Sequence, residues 1–141
     1  MPGSSLWLVP PKDHPLHSTL SLLIDTIIPA QFPDVKPPQF VPHVTLTSFI
    51  PPERYQQNAQ QWLQEELEFP AAKDVNIKFT GLNTEDFFFR KLTIPVQKDQ
   101  GLLRLAAECR KVGVIGLSEE GASSKAQQWV ENDYGPHNSL M

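Results

Sequence analysis

The chain has a single cysteine, Cys109, so it can form no intramolecular disulfide and no cysteine-based metal site. A reducing compartment is the simplest home for such a protein. Long apolar runs are also missing: nothing approaches the ~18 consecutive apolar residues that a membrane-spanning helix needs. The opening residues, Met1 to Pro11, lack the basic stretch and apolar run of a secretion signal. The expectation is a soluble, cytoplasmic protein with no membrane span and no targeting segment.

Positive charge is scarce. With 12 Lys and Arg against 16 Asp and Glu, the formal net charge is −4, which argues against a partner such as long nucleic acid, whose binding takes many cations placed on phosphates. A small anion remains possible, because the charge is uneven. Between Lys73 and Lys111 eight basic residues face five acidic ones, making this the segment best suited to attract a phosphate. Proline, by contrast, is abundant at 14 of 141 residues, about twice its usual ~5% share, which points to many ordered turns. The length fits one domain, residues 1–141, with a sizeable core.

Periodicity divides the chain into helices and strands. Leu6 to Val9 reads as a strand closed by Pro10-Pro11, and Leu16, Leu20, Leu23, Ile24, Ile27 and Ile28 recur at helical spacing until Pro29. A proline-rich loop to Phe40 leads into a strand from Val41 to Ile50, then a helix from Glu53 to Leu67. Asp74 to Leu82 alternates as a half-buried strand, Gly81 to Asp86 is rich in turn residues, and Phe87 to Val96 reads as the returning strand of a hairpin. Helices follow over Gly101 to Val112 and Ala126 to Asn132, separated by a stretch without clear period, and a last strand starts at His137. Mixed helices and strands with a hairpin indicate an α+β fold.

A short repeat stands out. Phe40-Val41-Pro42-His43-Val44-Thr45-Leu46 and Tyr134-Gly135-Pro136-His137-Asn138-Ser139-Leu140 share the pattern aromatic-x-Pro-His-x-(Thr/Ser)-Leu. With proline at about 5% and the other positions at roughly 10% each, a second histidine would acquire this setting by chance on the order of once in ten thousand. Proline favours strand entry, and in a strand residues i and i+2 share a face. His43 therefore projects with Thr45, and His137 with Ser139, while Val44 and Leu46 turn to a core. Strands placed side by side about a local twofold would bring two imidazoles and two hydroxyls to one point. Such a constellation suits a phosphate ester. An imidazole pKa near 6.5 lets one ring accept a proton while the other donates one, and the hydroxyls can donate to the non-bridging oxygens. No His, Cys or carboxylate lies at ligand spacing from either copy, so no metal is expected.

These features resemble the 2H phosphoesterases, and in particular their small fungal and plant branch, the 2′,3′-cyclic-nucleotide 3′-phosphodiesterases. Besides both motifs, the resemblance includes the strand Leu6 to Pro11 and the helix after it, and so spans nearly the whole chain. It implies a two-lobed α+β fold in which pseudo-symmetric antiparallel sheets with outer helices flank a central cleft. It further implies opening of a 2′,3′-cyclic nucleotide to the 2′-phosphate, and action on ADP-ribose 1″,2″-cyclic phosphate in tRNA splicing, with no metal or other cofactor. By motif position His43 is then the acid and His137 the base, with Thr45 and Ser139 binding the phosphate. Trp7 is a candidate for base stacking. The expected partner is a small cyclic-phosphate nucleotide and the expected state a monomer in the cytoplasm, with peripheral Golgi association in the fungal branch. Relatives in this branch continue past the second motif, so the second lobe is expected to be incomplete here. Two other readings remain open: a 2H enzyme acting on RNA ends, and a non-catalytic nucleotide-binding module or truncated, inactive fragment. Elsewhere the residues have ordinary explanations. His14 and His17 read as solvated helix-end residues, Phe87 and Phe89 as the buried face of a hairpin strand, Arg90 and Lys91 as exposed strand charges, and Glu119-Glu120 as a solvated loop.

Overall fold

The computed structural model describes residues 3–56, 58–87 and 90–141, without the side chains of residues 85–87, 90 and 91. Phe87-Phe88-Phe89, Arg90 and Lys91 therefore lie outside what it describes at the side-chain level. Strand β1 (Ser4–Leu8) ends before the two prolines, and helix α1 (Pro15–Leu22) begins at His14, whose Nδ1 accepts the Leu16 amide at 3.0 Å. That histidine caps the helix in place of the usual Ser, Thr, Asp or Asn.

The helix does not stop at Pro29. It passes through a π turn at Leu23–Ile27, where the Ile28 amide reaches back to the Leu23 carbonyl, and continues as α2 (Ile28–Gln31). A proline inside a regular α-helix lacks one amide and clashes with the carbonyl four residues back, and the wider π turn just ahead of Pro29 accommodates both defects. The helix expected over Glu53 to Leu67 is instead two, α3 (Pro52–Tyr55) and α4 (Ala59–Glu66). Gln56 turns left-handed at φ 47°, and the Asn58 side chain caps α4 by accepting the Gln61 amide at 3.0 Å. Local capping thus overrides the continuous apolar stripe.

The hairpin is displaced from its expected position. Between Asp74 and Leu82 the alternation survives in the burial of Val75 and Ile77, yet this segment forms only a single bridge, Phe79 to Val96. Strand β3 (Asn83–Phe87) lies where turn chemistry suggested a loop, and it pairs with β4 (Arg90–Pro95) from Asn83 opposite Thr93 to Phe87 opposite Arg90. A polar edge strand carries no apolar alternation, so pattern alone assigns the ladder to the wrong residues. Asp99 caps α5 (Gln100–Arg110), which runs through a π turn at Lys111–Ile115 to Gly116 at φ 97°. Helix α6 starts earlier than expected (Ala122–Asn132), because its buried stripe of Ala122, Ala126 and Val130 is mostly small residues. Strand β5 (His137–Ser139) follows.

The five strands form one antiparallel sheet in the order β1-β2-β5-β4-β3, so the fold is α+β as expected. Its two halves, β1-β2 and β5-β4-β3, meet at a single register pair, Val44 opposite Asn138. Each half has its own core. Val44 and Leu46 pack with Leu102, Leu105, Cys109 and Val130 from α5 and α6, whereas Leu140, Leu92 and Ile94 pack with Leu20, Ile24 and Ile28 of the first helix. The expected two lobes are thus two leaflets of one sheet, and the helices cross over: the N-terminal helix covers the C-terminal strands. An apolar cavity of about 490 Å³, walled by Leu6, Leu8, Leu46, Leu105 and Val75 among others, lies between the cores. Among the described residues no helix is long and apolar enough to cross a membrane.

Gly101 tests the packing of α5. A Cβ added there would stand 1.6 Å from the Asp74 carbonyl oxygen, whereas at Gly135 it would meet nothing within 4 Å. Gly101→Ala should cost about 1–3 kcal/mol in urea unfolding, and Gly135→Ala no more than about 0.5 kcal/mol; equal midpoints would refute the close approach.

Candidate active site

The repeat meets itself at the centre of the sheet. Because β2 (Val44–Ile50) and β5 are antiparallel with Val44 opposite Asn138, the same register carried one residue either way sets His43 across from Ser139 and Thr45 across from His137. Directly opposed residues in such a pair have Cβ atoms about 4.5–5.5 Å apart. Val44, Leu46, Asn138 and Leu140 are buried on the core face, and His43, Thr45, His137 and Ser139 are half-buried on the other. The four polar side chains singled out by sequence are therefore gathered on one face, around a local twofold at Val44 and Asn138.

The two histidines are held in the same way. The Val41 carbonyl accepts from His43 Nδ1 at 2.6 Å, and the Gly135 carbonyl accepts from His137 Nδ1 at 2.9 Å. A carbonyl can only accept, so Nδ1 carries hydrogen in both rings and Nε2 is the nitrogen left to exchange a proton. In each copy the proline turns the preceding carbonyl back toward the ring two residues on. This is the physical reason for the Pro-His pairing, beyond strand entry alone.

The surroundings of the two rings differ. Trp7 of β1 pairs with Thr45 and lies face to face on His43, with centroids 3.8 Å apart and planes at 13°. Phe40 meets the same imidazole edge-on at 6.2 Å. One face of Trp7, the candidate for base stacking, is thus occupied by His43, while the side chain remains 48% exposed. The equivalent aromatic of the second copy, Tyr134, reaches across and donates its hydroxyl to the Thr45 carbonyl at 2.8 Å. That bond braces the two motifs together. Tyr134 was visible in the sequence only as the aromatic position of the repeat.

Two cavities flank the constellation. His43 and Trp7 border the large apolar one, and His137 and Thr45 border a smaller groove of about 310 Å³ of mixed polar and apolar lining. Among the described residues no three His, Cys, Asp or Glu side chains gather as metal ligands.

With this geometry in view, comparison with known proteins is informative. A family model described as cyclic phosphodiesterase-like protein matches residues 1–141. The chain belongs to that family. It is 44% identical to a 2′,3′-cyclic-nucleotide 3′-phosphodiesterase of Phaeosphaeria nodorum, over 100% of this chain and 69% of the relative. The protein of the same name from Neurospora crassa is 38% identical over 100% of this chain and 71% of its own length. The Saccharomyces cerevisiae protein of that name is 27% identical over 97% of this chain and 63% of its own length. No solved structure matches.

In this cyclic phosphodiesterase-like chain the surroundings of His43 shift its proton affinity. Burial lowers the pKa of His43 below the usual 6.5; the bond to the Val41 carbonyl opposes the shift, and the charge of His137 adds to it. Burial likewise raises the Cys109 thiol to about 12, which leaves it an inert core group. Histidine NMR titration should place His43 below 6.5. In His137→Ala, where one lowering influence is gone, His43 should titrate higher than in the wild type; an unchanged value would mean that the rings do not sense each other. Tyr134→Phe should destabilise the fold by about 1–2 kcal/mol, as one buried carbonyl loses its donor, measurable by denaturant titration.

Proposed function

We propose that the protein hydrolyses nucleoside 2′,3′-cyclic phosphates at the 3′ P–O bond, giving the 2′-phosphate, and that it takes ADP-ribose 1″,2″-cyclic phosphate as a related substrate. The observation that carries this reading is the matched pair of imidazoles, each with Nδ1 on the carbonyl two residues back and Nε2 free. Similarity along the whole of this chain to proteins named for this reaction supports it.

The chemistry needs few groups. Water attacks phosphorus in line with the 3′-oxygen; one imidazole takes the water's proton, the P–O3′ bond breaks, and the other imidazole protonates the departing oxygen. Thr45 and Ser139 donate hydrogen bonds to the non-bridging oxygens as their charge grows. With His43 as the acid and His137 as the base, His43 must hold a proton when substrate is bound. In the free protein its pKa lies below the usual value, so the negative phosphate has to draw that pKa up again, as an opposite charge at contact distance does. Trp7 contributes by fixing the plane of the His43 ring, and its face over the imidazole favours the cationic form.

Turnover of 2′,3′-cyclic AMP is the direct test. His43→Ala and His137→Ala should each lose about 10²–10⁴-fold in kcat, and Thr45→Ala or Ser139→Ala about 10²-fold, all with EDTA present and wild-type activity unaffected by it. The pH profile of kcat/KM should be bell-shaped, its lower limb set by loss of the neutral base and its upper limb by loss of the protonated acid. Full activity in either histidine variant, or loss of wild-type activity on chelation alone, would refute the mechanism.

A further inference from the structure

Beside His137 and Thr45, the smaller groove, lined by β2, the start of β5 and the ends of α5 and α6, holds a cation that the paired-histidine reaction does not use. Arg110, at the C-terminal end of α5, is half-buried there, its guanidinium stacked over the Trp129 ring at 4.5 Å. Its Nη1 donates to Thr47 Oγ1 at 3.4 Å. No carboxylate among the described residues lies within 4.0 Å of it. Asp133 borders the same groove, and its charge raises the Arg110 pKa against the lowering by burial; the guanidinium stays charged in either case. A partly desolvated cation, oriented by a ring and a hydroxyl rather than by an anion, leaves donors unspent toward the groove.

Its position relative to the phosphate site follows from strand geometry. Thr47 lies two residues beyond Thr45, about 6.7 Å along the strand, so the guanidinium sits roughly one strand repeat from the hydroxyl that would receive the cyclic phosphate. A substituent on the 5′-oxygen of a ribose whose 2′,3′-phosphate sits at Thr45 can span such a distance. At the same end of the groove, Phe49 holds φ 64° and is 72% exposed. That backbone is unusual for a bulky residue and marks a constrained position. It is held where Gly3 comes so close that an added Cβ would stand 2.7 Å from the Phe49 Cα. The groove therefore has a fixed cation and an exposed aromatic ring on its walls.

We propose that Arg110, oriented by Trp129 and Thr47, is a specificity-determining residue that binds a second phosphoryl group, on the 5′ side of the nucleoside whose cyclic phosphate is opened. This rests on the proposed reaction for its placement, but its test need not involve turnover. Calorimetry with adenosine 2′,5′-bisphosphate and adenosine 2′-monophosphate reads the subsite directly. The wild type should prefer the bisphosphate by about tenfold or more, the scale of one charge-assisted hydrogen bond. Arg110→Gln should bring the ratio close to one. Arg110→Lys should keep part of it, since an ammonium carries the charge without the planar stack. Asp133→Asn should increase the ratio, because a carboxylate bordering the same groove is gone, and this variant leaves Arg110 in place if Arg110→Gln fails to fold. A wild-type ratio near one, or a ratio that Arg110→Gln does not lower, overturns the assignment. Retained preference without turnover of cyclic nucleotides would refute the proposed reaction and leave the subsite standing; turnover without preference would do the reverse.

Discussion

The pairing of Val44 with Asn138 is the constraint on which the rest depends. It is the one register pair between the two leaflets, and it sets which face every side chain of both motifs occupies. Side chains alternate along a strand, so a slip of one residue in β5 would turn His137 and Ser139 into the core and push Asn138 and Leu140 out. Leu140 resists that slip because it is 4% exposed and packs under Leu20, Ile24 and Ile28. Asn138, 1% exposed, is an unusual residue to bury at such a joint. Its side-chain amide reaches the Ser139 carbonyl at 3.3 Å, which compensates part of its desolvation and keeps a polar group on the seam between the two cores.

A local twofold relates the motifs, yet their environments are unequal. His43 meets Trp7 and Phe40, while His137 borders the smaller groove. A perfectly symmetric pair would give both rings the same proton affinity, and acid and base would be assigned only by the substrate. Here burial lowers the pKa of His43 below its usual value. Symmetry thus builds the frame, and the aromatic neighbours of one copy break it.

The motif strands were legible because their information is local: proline before histidine, hydroxyl two residues later, leucine on the far face. The same locality explains the failures. Pro29 looks like a helix stop until the π turn at Leu23–Ile27 is known, and nothing in that pentapeptide announces a π turn. The hairpin was misplaced because apolar alternation at Val75 and Ile77 reports burial against the core that includes Leu102 and Leu105 of α5 rather than strand pairing, whereas Asn83 to Asp86 pairs without any apolar pattern. Within the site, the four motif residues could be read directly, and Trp7 could be suspected. Arg110, Trp129 and Asp133 could not, because they reach the groove from the ends of α5 and α6, and only the packing of those helices brings them to β2.

The crossing of the helices has a consequence for how the chain reaches its native state. Ile24 finds its core partners in Leu92, Ile94 and Leu140, so this helix cannot bury its apolar stripe until strands more than sixty residues downstream have been made. Val44 and Leu46 likewise wait for α5 and α6. Neither leaflet together with the helices that cover it is a contiguous stretch of chain, so neither core can form as an early local unit. Contacts between residues so distant in sequence slow folding and prolong the exposure of apolar surface. During that interval Leu20, Ile24 and Ile28 present an apolar face that only the distant strands can cover.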